Sequence, residues 1–521
     1  MGWLSLEPRS QGPPPGGTML LRTSDKTRDD EQYDGGLPIP TQLVSNSEYY
    51  PIPQTPRQRK IEELVRRMAD ERAAALGWSR RRFLSSACGT ATALMALNLA
   101  SGCSHTSDGG FQVDDCATRD PAAARELFRS DYFIVDVQTH HADLDGAIAG
   151  NPALAAFFAP FRTCAPVTIE SGDCNRGELA ELSRANYLKE VFLDSETTVA
   201  MMSGIPSPNA SLQLISNDAM AETRNLGNQL GASQRMLTQG MLTPNFPADA
   251  DTGTRIADME HLVRDLGIRA LKTYTGAGYG VFGPDAAPWW MDDEQVAYPM
   301  LEEATRLGID IVNVHKGLRL GIFDPEYIKP RDIPKAAKDW PNIRFGIYHS
   351  GFEYVEELCR LKREEMPEVT NVYPELGAIF ASRVLSDDGV DAIGHLLGLL
   401  VQNFGADHIL WGTDSIWYGT PQWQIDALKT FRMPQRLMNE FGYPEITDEV
   451  KAQIFGLNAA RLYKLDPDEV RCTLPTDQLA QARAMYLDEQ PMPSLRTYGP
   501  KTRREFLNLA FNGRPDPRRR G

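Results

Sequence analysis

Several things are scarce in this chain, and each shortage removes a class of function. Its 521 residues hold only seven cysteines. None forms a CxxC pair, which excludes a disulfide framework or a zinc ribbon as the basis of the fold. Basic residues are outnumbered, 54 Lys and Arg against 70 Asp and Glu. The formal net charge of -16 excludes the basic surface that a nucleic-acid partner requires. No GxGxxG turn follows the first strand-like run, so nothing marks a dinucleotide-binding sheet. No sequence repeat of roughly 20–50 residues recurs, which argues against a solenoid. The one moderately apolar stretch, ending at Ala100, is only about 18 residues long and contains Ser, Thr, Gly and Asn, marginal for a membrane span.

What is present is the composition of a soluble globular protein with a sizeable core, 42% hydrophobic and 24% charged. The length exceeds one ordinary domain, and four segments are expected: 1–78, 79–103, 131–465 and 466–521. Residues 1 to 56 are rich in Pro, Gly and polar side chains, including GPPPGG at Gly12 to Gly17, and read as disordered. Arg57 to Leu76 read as a helix ended by Gly77. The following Ser79-Arg80-Arg81-Arg82-Phe83-Leu84 and its apolar stretch resemble a twin-arginine export signal. That resemblance implies the export machinery as a partner and a periplasmic location, with a start at Met68 giving a shorter leader. The ending Leu99-Ala100-Ser101-Gly102-Cys103 partly resembles a lipoprotein cleavage box, with Ala100 where a larger aliphatic residue is usual. Cys164 and Cys174 bracket a short loop that an oxidising compartment would close, or they stand as free thiols.

Strand-like apolar runs fall at Tyr132–Val137, Thr197–Ser203, Arg235–Leu242, Ile268–Tyr274, Ile309–Val314, Ile343–Tyr348, Val369–Gly377 and His408–Thr413. Helical patterns closed by Gly separate many of them, so the expected fold is α/β, a closed (β/α)8 TIM barrel, rather than an open doubly wound sheet. His140, His315, His349 and Asp414 each sit at the end of such a run. Strand ends of a barrel converge on one face, where imidazoles and a carboxylate suit zinc or another first-row divalent ion. Taken singly, each His reads more simply as a hydrogen-bonded core residue.

The order His, His, His, Asp resembles the amidohydrolase superfamily, in particular its amidohydrolase-related branch of hydrolases and nonoxidative decarboxylases. The resemblance covers about residues 131 to 465 and ends in GLNAARLYKL, similar to that family's closing helix. It implies His140, His315 and His349 around one divalent ion, zinc first and manganese as an alternative. Asp414 would be the catalytic proton carrier and a further metal contact. One departure is visible: the family opens on Asp-x-His-x-His, and here the stretch is Asp136-Val137-Gln138-Thr139-His140. Gln138 offers a weaker ligand or an outer hydrogen bond. His141 follows, but neighbouring strand residues face opposite ways. Glu375 is placed to orient Asp414, bind substrate or complete the metal shell. Lys272 would bind a substrate carboxylate or make a structural ion pair. Tyr279, Phe282, Trp289, Trp290, Trp417, Tyr418 and Trp423 gather in the expected mouth loops, for an apolar or ring-bearing small molecule or for packing among themselves.

Three functions stand open. Hydrolysis of an amide, ester or lactone by metal-activated water comes first, nonoxidative decarboxylation second and a non-catalytic exported binding protein third. A homo-oligomer is left open. In the tail, Gln478–Leu487 and Arg503–Leu509 read as short helices in an otherwise solvated extension.

Overall fold

The computed structural model describes residues 37–41, 54–101, 108–142, 183–205, 214–245, 255–276, 287–318 and 323–488. Cys103, Cys164, Cys174, Tyr279, Phe282 and the expected helix Arg503–Leu509 lie outside the described residues.

Helix α1 (Pro56–Ala75) starts at Thr55, whose hydroxyl accepts the Gln58 N–H while the Gln58 side chain accepts that of Thr55. Ile61, Val65, Met68, Ala69 and Arg72 form its buried stripe. Helices α2 (Arg80–Leu84) and α3 (Ala87–Ala100) follow, capped by Ser79 and Ser86. The stretch expected as an export signal is thus a packed helical layer here. Phe83, Leu84, Ala91, Leu94 and Ala96 are buried, and Arg80 pairs with Asp70 of α1. Helix α3 is apolar on most sides because protein covers most of them. Gly89 permits the contact, since a Cβ there would lie 2.4 Å from the Phe83 carbonyl oxygen. Among the described residues no helix is long and apolar enough to cross a membrane. Strand β1 (Gly110–Phe111) is held to α3 by Asn98, whose amide accepts the Phe111 N–H at 2.9 Å and donates to the Phe111 carbonyl at 2.6 Å. Helix α4 (Pro121–Phe128) completes the layer.

The core of the chain is parallel. Strands β2 (Val135–Thr139), β3 (Val199–Met202) and β4 (Met236–Thr238) form one sheet in that order. Strands β5 (Gly240–Met241), β6 (Leu271–Tyr274), β7 (Ile311–His315), β8 (Arg344–Tyr348) and β9 (Val372–Pro374) form a second. Gln239 separates β4 from β5, so one expected strand serves both sheets. The expected eighth strand is only two isolated bridges, Glu375 to Leu410 and Thr139 to Ser415. A continuously closed barrel is therefore not formed, and the reason is local. Side chains interrupt the ladder at two places, where the Thr413 N–H donates to Asp136 at 3.0 Å and the Ile409 carbonyl accepts from Asn458 at 2.8 Å, while backbone bonds still join the run to β9 (Leu410 N–H to the Pro374 carbonyl, 2.9 Å) and to β2 (Val137 N–H to the Trp411 carbonyl, 3.0 Å). Strand β10 (Phe431–Arg432) pairs antiparallel with β1 and stitches the N-terminal layer to this core. The tail is not free up to residue 488: the helices Pro467–Thr473 and Gln478–Asp488 follow the core, and buried Arg235 and Asp477 pair at the start of the second.

Candidate active site

The four expected ligands meet in the interior, each at or just past a strand end. Gln138 lies within β2, His140 directly after it, His315 ends β7, His349 follows β8, and Asp414 follows the 408–413 run. Asp136 ties the ring together here, its Oδ1 accepting from the Gln138 and Thr413 N–H groups at 3.2 and 3.0 Å. Two of these positions have left-handed backbone, His349 at φ 65° and Asp414 at φ 60°. Non-glycine residues adopt that conformation at a cost, which functional sites tolerate.

Hydrogen-bond partners fix the imidazoles. His315 Nε2 lies 2.8 Å from the Leu318 carbonyl and His349 Nδ1 lies 2.9 Å from that of Gly377. A carbonyl only accepts, so both of those nitrogens carry the hydrogen. Burial, with the Lys272 charge, lowers His315 to about 3; burial, with His315 beside it, holds His349 well below its ordinary value. Both rings are then neutral, and their remaining atoms, His315 Nδ1 and His349 Nε2, present lone pairs to one another 3.1 Å apart. Two acceptors at that distance call for a cation.

The second pair is similar. His140 Nε2 stands 3.0 Å from Asp414 Oδ1. The contact is buried and favours the ionised form of Asp414. Gln138 Nε2 donates to the same oxygen at 2.8 Å, leaving its own Oε1 buried without a partner. Burial pulls Asp414 upward, but His140, His349 and Lys272 hold it below the ordinary carboxylate range, so it is ionised at neutral pH.

Among the described residues no group of three or more His, Cys, Asp or Glu side chains is arranged to hold an ion; the expected ligands stand as two pairs. The donor chemistry nonetheless fits one. Two nitrogens on a common ion at about 2.0–2.1 Å lie roughly 3–3.4 Å apart, the spacing of the facing lone pairs. Each His N–H committed to a backbone carbonyl is the usual way a ligand ring is oriented.

The other expected residues separate. Lys272 is fully buried, its Nζ 3.4 Å from the Tyr348 ring centroid, and its charge acts on His315, His349, Glu375 and Asp414. Glu375 is turned into backbone, accepting from the His349 and Gly377 N–H groups at 3.0 and 2.6 Å. Trp417 lies beside His140 at 5.6 Å between rings. Trp289 is buried, whereas Trp290 stacks on Tyr327 under Arg331, beside the buried Lys316–Asp332 pair. His141 turns away, to Thr223 at 2.9 Å. Sequence reading missed Tyr274, stacked on His315 at 4.5 Å, and Phe323 at 5.2 Å from the same ring. Tyr274 was findable: it is two residues beyond Lys272 on one strand and shares its face.

The chain is similar to 5-carboxyvanillate decarboxylase from Sphingomonas paucimobilis, at 14% identity and a TM-score of 0.42, covering 64% of this chain and 100% of that one. It is similar to a manganese-bound dihydroxybenzoic acid decarboxylase from Polaromonas, at 15% identity and a TM-score of 0.38, covering 64% and 97%. An uncharacterized TIM-barrel protein from Bordetella bronchiseptica is 18% identical with a TM-score of 0.39, covering 64% and 98%. Among curated proteins none matches. A family model described as Amidohydrolase matches residues 219–465, the stretch that carries His315, His349 and Asp414.

Proposed function

We propose that this chain is a metal-dependent enzyme acting on a small carboxylated aromatic, and that its reaction is nonoxidative decarboxylation. The observation that carries the reading is the pair of neutral imidazoles, His315 and His349, with facing lone pairs 3.1 Å apart beside an ionised Asp414. His140, His315, His349 and Asp414 would hold one divalent ion. When bound, the ion would supply positive charge to fix the substrate's anionic oxygens.

The chain's own residues suggest the substrate. A divalent ion, Lys272 and ionised Asp414 leave an excess of positive charge in a buried site, which a carboxylate with an adjacent ring hydroxyl would balance. Tyr274, Phe323 and Trp417 offer ring faces for a flat substrate. Lys272 would hold the carboxylate end. Asp414 would take the hydroxyl proton and return it to the ring carbon as the carbon–carboxylate bond breaks, its electron pair staying on that carbon and carbon dioxide leaving. Burial favours this over a water-consuming reaction, since His315, His349 and Lys272 are all at most 1% exposed.

Hydrolysis of an ester, amide or lactone is the second reading, favoured by Asp414 being an ionised base. Purified full chain, loaded with Mn2+ or Zn2+, would be offered hydroxybenzoates, esters and lactones in D2O. The expected result is carbon dioxide release with one deuterium at the vacated ring carbon, and loss of bound metal in His315→Ala and His349→Ala. Ester or lactone cleavage without carbon dioxide would replace this reading by hydrolysis. Full metal content in both variants would remove the ligand assignment.

A further inference from the structure

Glu375 has the position of a ligand and the contacts of a scaffold. Its carboxylate is fully buried, with Oε2 accepting the His349 N–H at 3.0 Å and Oε1 the Gly377 N–H at 2.6 Å. Its backbone carbonyl accepts the Ser350 hydroxyl at 2.7 Å. Two residues on, the Gly377 carbonyl takes the Nδ1 hydrogen of His349. One tripeptide, Glu375-Leu376-Gly377, therefore holds His349 and its neighbour at the backbone, at the ring and through Ser350. Two glycines seat the carboxylate: a Cβ at Gly412 would lie 1.7 Å from Glu375 Oε1, and one at Gly377 would lie 2.6 Å from it. Nothing larger than glycine at either position leaves room for that oxygen.

We infer that Glu375 is a positioning residue, which locks His349 in its left-handed backbone and Nδ1–H tautomer so that Nε2 faces His315. His349 at φ 65° and Ser350 at φ 49° need an external hold, because this conformation is unfavourable for residues with a Cβ. The buried carboxyl group supplies it by accepting the His349 N–H through Oε2. Glu375 thus acts on the ion through His349 and leaves the shell to others. The inference deepens the proposed metal-dependent function and rests on it only for the metal readout below.

The test uses the full chain and the variants Glu375→Gln and Ser350→Ala. Nitrogen-15 NMR of labelled histidine, without metal, reads the His349 tautomer directly. Wild type should show a single Nδ1–H form, and E375Q a mixture, because an amide nitrogen would face one of the two N–H donors. Co2+ titration should then show affinity falling about tenfold or more in E375Q with a changed visible spectrum, the size expected when a group orienting a metal ligand is lost. Ser350→Ala keeps the carboxylate and should show a smaller loss of the same kind at an unchanged unfolding midpoint, which decides the matter if E375Q fails to fold. A wild-type tautomer and wild-type Co2+ spectrum in either folded variant would overturn the inference. Absence of Co2+ binding in wild type would instead sink the metal reading, with the tautomer still deciding the role of Glu375.

Discussion

The strand ends and the N-terminal layer are equally buried for opposite reasons. In α1 to α3 the buried groups are mostly Ala, Leu, Ile, Val and Phe on ordinary helical backbone, and burial itself is the stabilising term. At the strand ends the buried groups are His140, His315, His349, Lys272, Glu375 and Asp414, where burial costs free energy and hydrogen bonds or neighbouring charge must offset it. Two of these residues also hold left-handed backbone. The first region stabilises the molecule, and the second draws on that stability to keep reactive groups in place.

The largest effect should come from removing the layer. Cleavage near Cys103, which the export reading implies, takes away Ile61, Val65, Met68, Phe83, Leu84, Leu94 and Leu97, all buried. At about 1.5–3 kcal/mol each their gross contribution is roughly 10–20 kcal/mol, comparable to the whole stability of a domain. It would also free Phe111 from Asn98 and expose what α3 covers. We expect chain 104–521 to be insoluble or to lack a cooperative unfolding transition, measured against the full chain by soluble yield and calorimetry. A truncated chain as stable as the full one would break the comparison and restore the segment to the role of a removable leader.

How much was legible follows from the same contrast. Strand positions were, because apolar runs closed by polar residues have few other meanings: Ile309–Val314 became Ile311–His315 and Ile343–Tyr348 became Arg344–Tyr348. The run 408–413 did not become a continuous strand, because Asp136 and Asn458 side chains interrupt a ladder that backbone bonds to β2 and β9 otherwise make, and no local pattern shows that. His315 and His349 were legible as strand-end imidazoles. Their partners, the carbonyls of Leu318 and Gly377, were not, since every residue has a carbonyl. Glu375 showed depth in the ring but not direction. For the α3 stretch an apolar composition says that it must be covered, without saying by what.

A mid-sized effect separates the regions through glycine. Gly77, after α1, has φ 65° with nothing within 4 Å of a built Cβ. Gly317, two residues past His315, has φ 86°, and a Cβ there would lie 1.8 Å from the Gly351 carbonyl oxygen, where the loops after β7 and β8 touch. Gly77→Ala should cost about 1 kcal/mol, for backbone conformation alone. Gly317→Ala should cost about 3 kcal/mol and weaken metal binding, because the clash pushes His315 and His349 apart. Urea unfolding and Co2+ titration of both variants check this. Equal costs would mean that the two loops are not packed as rigidly as the layer.

The smallest effect is a dependence on pH that belongs to the strand ends. His315 falls from an ordinary 6.5 to about 3 on folding, through burial and Lys272, so the unfolded chain binds a proton between those values that the folded chain refuses. Stability from this group is full above pH 6.5 and is lost as pH falls toward 3, by about 1 kcal/mol per pH unit. Glu375, raised from 4.5 to about 8, and Asp136, raised from 3.8 to about 7, both mainly by burial, work the other way. Their folded forms hold protons that the unfolded chain releases, so their contribution is full below pH 4 and fades as pH rises to 7 and 8. The limbs oppose one another between about pH 4.5 and 6.5 and separate outside it. With chelator present, urea midpoints should fall below pH 4 and again from pH 6.5 to 8. The alkaline fall should shrink in Glu375→Gln, while the acid fall remains. A Glu375→Gln profile identical to wild type from pH 6.5 to 8 would show that Glu375 is ionised throughout, and that its backbone contacts outweigh its burial.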